Sequence, residues 1–220
     1  MTTITRTSAL TIAGLAFVGG AIAGPVTAVH AATTDTRPTT DRDNDRDRGE
    51  GRTGAREVGV RYEAQPNFYY CGPASTRIAL TAQGKNLSQD DLAKDLGTTE
   101  AGTNSAVDIT RVLNKVTGTD TYKTVEVPAT AKDNHVEKLR TDMVRALDSG
   151  RAVVANIAGT AVDTDGVAHS YEGGHYLSVV GYRDNGHTLK IADPANPDQA
   201  SYWITAEDLT AWTATRGYSA

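Results

Sequence analysis

Apolar residues recur at helical spacing in several segments of the chain. They predict four helices, over residues 72–84, from residue 88 to residue 97, from residue 105 onwards, and over residues 134–148. Pro73 suits the first turn of the first helix, and Gly97 can end the second in a left-handed conformation. The early part of the folded region is therefore predicted to be helical.

The pattern then changes to one typical of β-strands. Strands are predicted over residues 122–127, 151–157, 175–182, 187–192 and 202–204. The third and fourth form a hairpin through Asp184-Asn185-Gly186, because Asn and Gly tolerate positive φ. Helices first and antiparallel strands later predict an α+β fold.

The first 57 residues have a different composition. Arg6 precedes an uncharged apolar run, and the residues up to Ala31 are typical of a signal peptide, residues 1–31. The run is shorter than the roughly 20 residues that span a bilayer, so no stable membrane anchor is expected after cleavage. Residues 32–57 alternate Asp and Arg and predict a disordered linker. Residues 58–220 remain as one domain of a secreted protein.

The charge and the cysteine content limit the partners and the chemistry that the protein can have. The net charge is −5, and the mixed signs of the linker do not form the clustered positive charge that a nucleic-acid partner needs. The chain has a single cysteine, Cys71, and therefore cannot form an internal disulfide. An unpaired thiol is a liability outside the cell unless the protein uses it.

Cys71 lies at the predicted start of the first helix. Unpaired backbone amides and the helix dipole stabilise a thiolate at that position, which makes nucleophilic chemistry possible. A small buried core residue is the other common fate of an unpaired cysteine. On the thiol alone, both interpretations stay open.

After the predicted signal peptide, four histidines could supply a base: His135, His169, His175 and His187. His175 follows two glycines, which let the backbone pass close to a neighbour, and it opens an apolar strand that would hold the ring rigidly. His135 and His187 are expected to be solvated. His169, in a predicted loop rich in Gly and Asp, remains an alternative.

Two further residues complete the candidate site. The hairpin register places His175 opposite Pro194 or Asn196, depending on the turn, so Asp193 lies within about one to three residues of the facing position. Its carboxylate is then near enough to orient the imidazole, although a turn residue before Pro194 is the simpler role for Asp193 alone. A Gln in a loop is ordinarily solvated, but Gln65 precedes Cys71 by a spacing that would let its side-chain amide donate to an oxyanion beside the thiol.

The motifs Q-x5-C-G-P-A, G-H-Y-x-x-V-V-G-Y and I-A-D-P resemble those of papain-like cysteine peptidases. The resemblance covers residues 62–212 and is closest to the bacteriocin-processing, double-glycine leader peptidases and their standalone secreted relatives. It implies a papain-like fold with N-terminal helices packed on an antiparallel sheet. It also implies that Cys71 is the nucleophile, His175 the base, Asp193 the orienting carboxylate and Gln65 the oxyanion donor.

The resulting hypothesis is a secreted thiol hydrolase, a cysteine peptidase that cleaves a peptide or protein substrate through a Cys-His-Asp triad. No metal or other cofactor is implied, because the His, Cys and Asp positions lack zinc-ligand spacing. Two alternatives stay open. One is an amidase or transpeptidase that acts on cell-wall peptides, and the other is a catalytically silent binding domain.

Overall fold

The computed structural model describes residues 54–220. The predicted signal peptide, residues 1–31, and most of the predicted linker lie outside the described residues. Within the described range, none of the helices has both the length and the apolar content to cross a membrane.

The first four helices of the described region follow the predicted apolar spacing closely. The helices are α1 (Cys71–Thr81), α2 (Gln89–Leu96), α3 (Ala106–Thr117), α4 (Asp133–Asp148) and α5 (Ala206–Trp212). The caps explain the ends of α2, since the Ser88 side chain accepts from the Asp91 amide and Gly97 adopts a φ of 70°. The first helix ends at Thr81, three residues before the predicted Gly84.

The strands form one antiparallel sheet. They are β1 (Arg56–Glu57), β2 (Thr124–Val125), β3 (Val153–Val162), β4 (Ala168–Arg183), β5 (Thr188–Ala192), β6 (Ser201–Thr205) and β7 (Tyr218–Ser219). The strand order is β2-β7-β3-β4-β5-β6, and β1 pairs with β4.

The β3–β4 hairpin extends well beyond the predicted strands. Residues 159–162 pair with residues 168–171, although the sequence predicts a loop rich in Gly and Asp around His169. The side chains of the paired residues alternate between the two faces of the sheet: Ala161 lies in the core and Tyr171 packs against it, whereas Thr160 and Ser170 are exposed. His169 accordingly lies in a strand opposite Ala161, which corrects its predicted placement in a loop.

The folded domain also begins earlier than predicted. Arg56 and Glu57, assigned to the linker from their composition, form β1 and pair with Tyr182 and Gly181. Strand pairing uses backbone groups and needs no large apolar side chain. The Glu57 carboxylate also accepts from Lys190 Nζ at 2.7 Å.

The sheet is covered by helices on both faces. Val153, Ala155 and Ile157 of β3 belong to the core packed against α4 and α5, whereas Val154 belongs to the core packed against α1, α2 and α3. This alternation follows from the two-residue period of a strand. The architecture confirms the predicted α+β fold, and it places α1 directly on the face of the sheet.

Candidate active site

Cys71 is the first residue of α1 and is buried, with 7% of its surface exposed. Two hydrogen bonds fasten the helix behind it to β4. The Ser75 hydroxyl donates to the Tyr176 carbonyl, and the Ser178 hydroxyl donates to the Ser75 carbonyl, both at 2.8 Å. Because β4 also carries His175, this attachment brings the thiol and the imidazole together.

Gly72 allows the start of α1 to approach a neighbouring loop. A Cβ added at this position would lie 2.8 Å from the Cβ of Thr103, closer than two carbon atoms can pack. The glycine is therefore required for close approach rather than for an unusual backbone angle. The loop at Thr103 forms part of the cavity beside Cys71.

His175 and Asp193 form a buried pair. The Nε2 atom of His175 lies 2.8 Å from Oδ1 of Asp193, and both side chains are at most 4% exposed. Since a carboxylate only accepts, Nε2 carries the hydrogen, and Nδ1 is the nitrogen that remains for the Cys71 thiol. The ring of Tyr171 stacks on the imidazole, with centroids 4.0 Å apart.

The strand register agrees with the predicted range for this pair. Ser178 pairs with Ala192, and a bulge interrupts the ladder between Val179 and Gly181. Counting on from Ser178 places His175 opposite Ala195, between the two predicted partners. Asp193 lies just beyond the end of β5, two residues from that position, where its side chain reaches the imidazole.

The Asp193 carboxylate accepts four hydrogen bonds. Oδ1 accepts from His175 and from the Ala195 amide at 3.0 Å, and Oδ2 accepts from the hydroxyls of Tyr171 and Tyr202, each at 3.0 Å. Burial acts to raise the pKa of Asp193, but the bonds from His175, Ala195 and Tyr171 outweigh it and hold the pKa below its usual value. The group is therefore a fixed anion.

The pKa of His175 is displaced in the opposite direction. Burial acts to lower it, but the hydrogen bonds and charges of Asp193 and Cys71 raise it from 6.5 to about 9. The site therefore favours an imidazolium beside the sulfur at neutral pH. This charge distribution suits a thiolate–imidazolium pair, which attacks a carbonyl carbon and then donates a proton.

Gln65 lies beside Asp193, but its side chain bonds to the backbone of its own loop and not to Cys71, His175 or Asp193. Its backbone amide donates to the Pro194 carbonyl at 2.9 Å, which places it beside Asp193 in the structure. Its side-chain Nε2 donates to the Asn67 carbonyl at 2.8 Å. One amide hydrogen is thus committed, and Gln65 is not among the residues that line the cavity at Cys71.

A cavity of about 410 Å³ opens at the thiol and the imidazole. It is bordered by the segment before α1, by the loop around Thr103 and by the part of β4 just before His175. The lining residues are Phe68, Tyr69, Cys71, Glu100, Ala101, Gly102, Thr103, Asn104, Asn156, Gly173, Gly174, His175, Tyr176 and Arg216. The structure therefore joins Cys71 and His175 in one accessible space, with Asp193 behind the imidazole.

The other histidines have different surroundings. His169 contacts Asp163 through Nε2 at 2.9 Å and stacks on Tyr202, His135 accepts from the Lys132 amide, and His187 is exposed. In the part of the chain that the structure describes, no three His, Cys, Asp or Glu side chains are grouped in a way that could hold a metal ion.

Tyr171 and Tyr202 are site residues that the sequence motifs did not indicate. Tyr171 belongs to the stretch predicted as a loop, and Tyr202 opens a strand predicted for its apolar character alone. A tyrosine in a strand is ordinary, so nothing local marks either hydroxyl as a donor to Asp193.

Comparison with known proteins identifies the family of the chain. Residues 57–220 match the Peptidase_C39 like family. The chain belongs to this family. The family match confirms the resemblance to papain-like peptidases of the bacteriocin-processing branch, and it makes this C39-like protein a cysteine peptidase, a hydrolase. No curated protein matches the chain.

Solved structures with a similar fold include three peptidases. A Bacillus anthracis protein described as a C39-like peptidase is 14% identical, with a TM-score of 0.52, covering 76% of this chain and 96% of its own. The peptidase domain of Streptococcus ComA, a bi-functional ABC transporter, is 18% identical, with a TM-score of 0.48, covering 72% and 96%. A double glycine motif protease from an AMS/PCAT transporter, in complex with a leader peptide, is 17% identical, with a TM-score of 0.47, covering 74% and 91%. The Bacillus anthracis likeness shows a shared fold.

Proposed function

We propose that this C39-like protein cleaves peptide bonds with Cys71 as the nucleophile, His175 as the base and then the acid, and Asp193 as the orienting carboxylate. The observation that carries the proposal is the 2.8 Å contact between His175 Nε2 and Asp193 Oδ1, on an imidazole whose other nitrogen remains for the Cys71 thiol. Buried and fully hydrogen-bonded, Asp193 keeps the ring in one tautomer and one orientation.

In the first half of the reaction, the Cys71 thiolate attacks the carbonyl carbon of the scissile bond and forms a tetrahedral intermediate. The backbone amide of Cys71, a first-turn amide without an intrahelical acceptor, donates to the developing oxyanion. We propose that the second N–H of Gln65 Nε2 also donates to it. The His175 imidazolium then protonates the leaving amine as the carbon–nitrogen bond breaks.

The second half releases the product. The acyl group is now held as a thioester on Cys71, and His175 is neutral. It takes a proton from water, and the resulting hydroxide attacks the thioester carbonyl carbon. The carbon–sulfur bond breaks, the new carboxylic acid leaves, and the thiolate–imidazolium pair is restored.

Alkylation of the single cysteine tests the nucleophile directly. At pH 5.5 we expect iodoacetamide to label the protein at Cys71 faster than it labels free cysteine, because the neighbouring imidazolium maintains a thiolate. Replacing His175 by Ala removes this advantage. Labelling of wild type no faster than labelling of a free thiol would contradict an activated nucleophile.

A peptide digest tests the reaction. We expect the wild type to generate new amino ends from a mixed peptide library, and Cys71→Ala to generate none. New amino ends without crosslinked products support hydrolysis, whereas crosslinked products identify a transpeptidase, and ammonia release identifies an amidase. A Cys71→Ala protein with undiminished biological effect would instead indicate a binding domain.

Secretion is also part of the proposal, and the composition of residues 1–31 supports it. Protein recovered from the medium of producing cells is expected to begin at Ala32. A recovered chain that still begins at Met1 would contradict cleavage of a signal peptide.

A further inference from the structure

The cavity beside Cys71 contains an arginine to which the proposed chemistry assigns no role. Arg216 lines the same space as Cys71 and His175. Apart from the proposed thiolate–imidazolium pair, the only other charged residue that lines it within the described part of the chain is Glu100. The cavity lining therefore includes the guanidinium of Arg216, a permanent cation.

The guanidinium lies flat against the backbone that leads into His175. Its Cζ, Nη1 and Nη2 atoms are each 3.5 Å from the position that a Cβ of Gly174 would occupy, so the plane of the group faces Gly174. Stacking uses the face of a guanidinium, whereas its N–H groups point outward in the plane. Gly174 has a φ of 94° and no side chain to keep the arginine away.

These N–H groups have no partner among the described residues. Arg77, Arg111 and Arg140, by contrast, each pair with a carboxylate through their guanidinium groups. Arg216 is exposed to the cavity, and its side chain makes no ion pair or hydrogen bond within residues 54–220. The N–H groups of its guanidinium are thus available to a hydrogen-bond acceptor on a ligand that enters the cavity.

The segment that carries Arg216 is held in a strained conformation. Thr215, a β-branched residue, has a φ of 64°, and its amide donates to the Val127 carbonyl at 2.8 Å. The Gly217 carbonyl in turn accepts from the Asn156 amide at 3.0 Å. Positive φ at a β-branched residue costs free energy and persists where the surroundings enforce it, often at functional sites.

We propose that Arg216 is a specificity-determining residue that selects substrates with a carboxylate close to the scissile bond. The inference rests on the proposed peptidase function and adds a substrate class to it. A planar guanidinium binds a carboxylate through two parallel N–H···O bonds. The carboxylate is either an Asp or Glu side chain or the free carboxyl terminus of a short peptide.

The test compares matched peptide mixtures with blocked ends. Each mixture is random except for one position, which carries Glu in one mixture and Gln in its partner, and the fixed position is moved along the peptide. Another pair of mixtures has either a free or an amidated carboxyl terminus. Cleavage is followed by mass spectrometry, and binding to Cys71→Ala is followed by fluorescence anisotropy.

We expect the wild type to cleave the Glu mixture about ten-fold faster than the Gln mixture at one position, or the free carboxyl terminus about ten-fold faster than the amidated one. Arg216→Gln should remove this preference, and Arg216→Glu should transfer it to a Lys mixture. Arg56→Glu is the matched control, because Arg56 is exposed and lies outside the cavity lining. It should leave the preference unchanged.

The outcomes separate this proposal from the peptidase proposal. Equal cleavage and equal binding of all matched mixtures would overturn the role of Arg216 and leave the peptidase intact. If the wild type cleaves nothing but Cys71→Ala still binds the carboxylate mixtures more tightly, the carboxylate site stands and the peptidase proposal fails.

Discussion

The hydroxyl of Tyr202 donates a 3.0 Å hydrogen bond to Oδ2 of Asp193, the carboxylate oxygen that His175 does not use. Tyr171 donates to the same oxygen at 3.0 Å. The carboxylate is thereby fixed from both ends and cannot rotate away from the imidazole without losing several bonds. The orientation of His175 consequently depends on two residues outside the proposed triad.

Replacing Tyr202 by Phe should cost about 1–2 kcal/mol of unfolding free energy, since a buried carboxylate oxygen loses one of its two donors. We also expect alkylation of Cys71 to slow several-fold, because Asp193 gains freedom to move. Tyr182→Phe is the control, since its hydroxyl bonds to Asp148 outside the site. Equal alkylation rates for all three proteins would show that Tyr202 has only a structural role.

Asp193→Asn should change the pH dependence of kcat/KM more than it changes the structure of the site. The amide oxygen still accepts from His175, but the negative charge that raises the pKa of His175 is lost. In the wild type, kcat/KM should fall on the alkaline side near pH 9, where the imidazolium loses its proton. In the variant this limb should move towards pH 6.5. An unmoved alkaline limb would show that another group controls it.

The same pKa displacement predicts how stability depends on pH. The folded pKa of His175 is raised, so its contribution is fully present below pH 6.5 and is lost as the pH rises through about 9. The folded pKa of Asp193 is lowered, so its contribution is present above pH 3.8 and is lost as the pH falls through the folded value. The buried pair should therefore stabilise the fold most between these limits.

Urea unfolding measures this effect. Between pH 6 and pH 9 the wild type should lose on the order of 3 kcal/mol through His175, as its displaced pKa implies. His175→Gln should lack most of this loss, since Gln does not titrate. Parallel stability curves for the two proteins would show that His175 does not account for the pH dependence.

Gln65→Ala tests the proposed oxyanion donor. If the free N–H of Gln65 stabilises the intermediate, kcat should fall about 10²-fold with little change in KM. Gln65→Glu removes the donor while it keeps the size of the side chain, and should be equally slow. An unchanged kcat in Gln65→Ala would leave the Cys71 backbone amide as the donor, and the bond from Gln65 to Asn67 as a structural contact.

Gly72→Ala should displace the start of α1, because the new methyl group meets Thr103. We expect a loss of about 1–3 kcal/mol in unfolding free energy and a slower alkylation of Cys71. Gly59→Ala is the matched control, since a Cβ there meets nothing within 4 Å. Similar behaviour of the two variants would show that the loop at Thr103 yields readily.

Capping residues and apolar spacing, which act over a few neighbouring residues, made most of the helices predictable from the sequence. The ends of α2 follow from Ser88 and Gly97, whose conformational preferences act over a few neighbouring residues. Apolar spacing likewise predicted the start of α3 and both ends of α4 to within one residue. The outer part of the β3–β4 hairpin was missed because few of its residues are aliphatic, so the sequence shows no strong strand pattern there.

For the candidate site, the sequence by itself determined the family motifs and the residue types at Cys71, His175 and Asp193. It could not determine how these residues meet, because 104 positions of chain separate Cys71 from His175 and a bulge shifts the register that brings Asp193 to the imidazole. Only the tertiary structure decided that Tyr171 and Tyr202 support the carboxylate. It also placed Arg216 in the cavity and tied Gln65 to Asn67. Contacts between distant segments depend on the packing of the whole core, which no local pattern specifies.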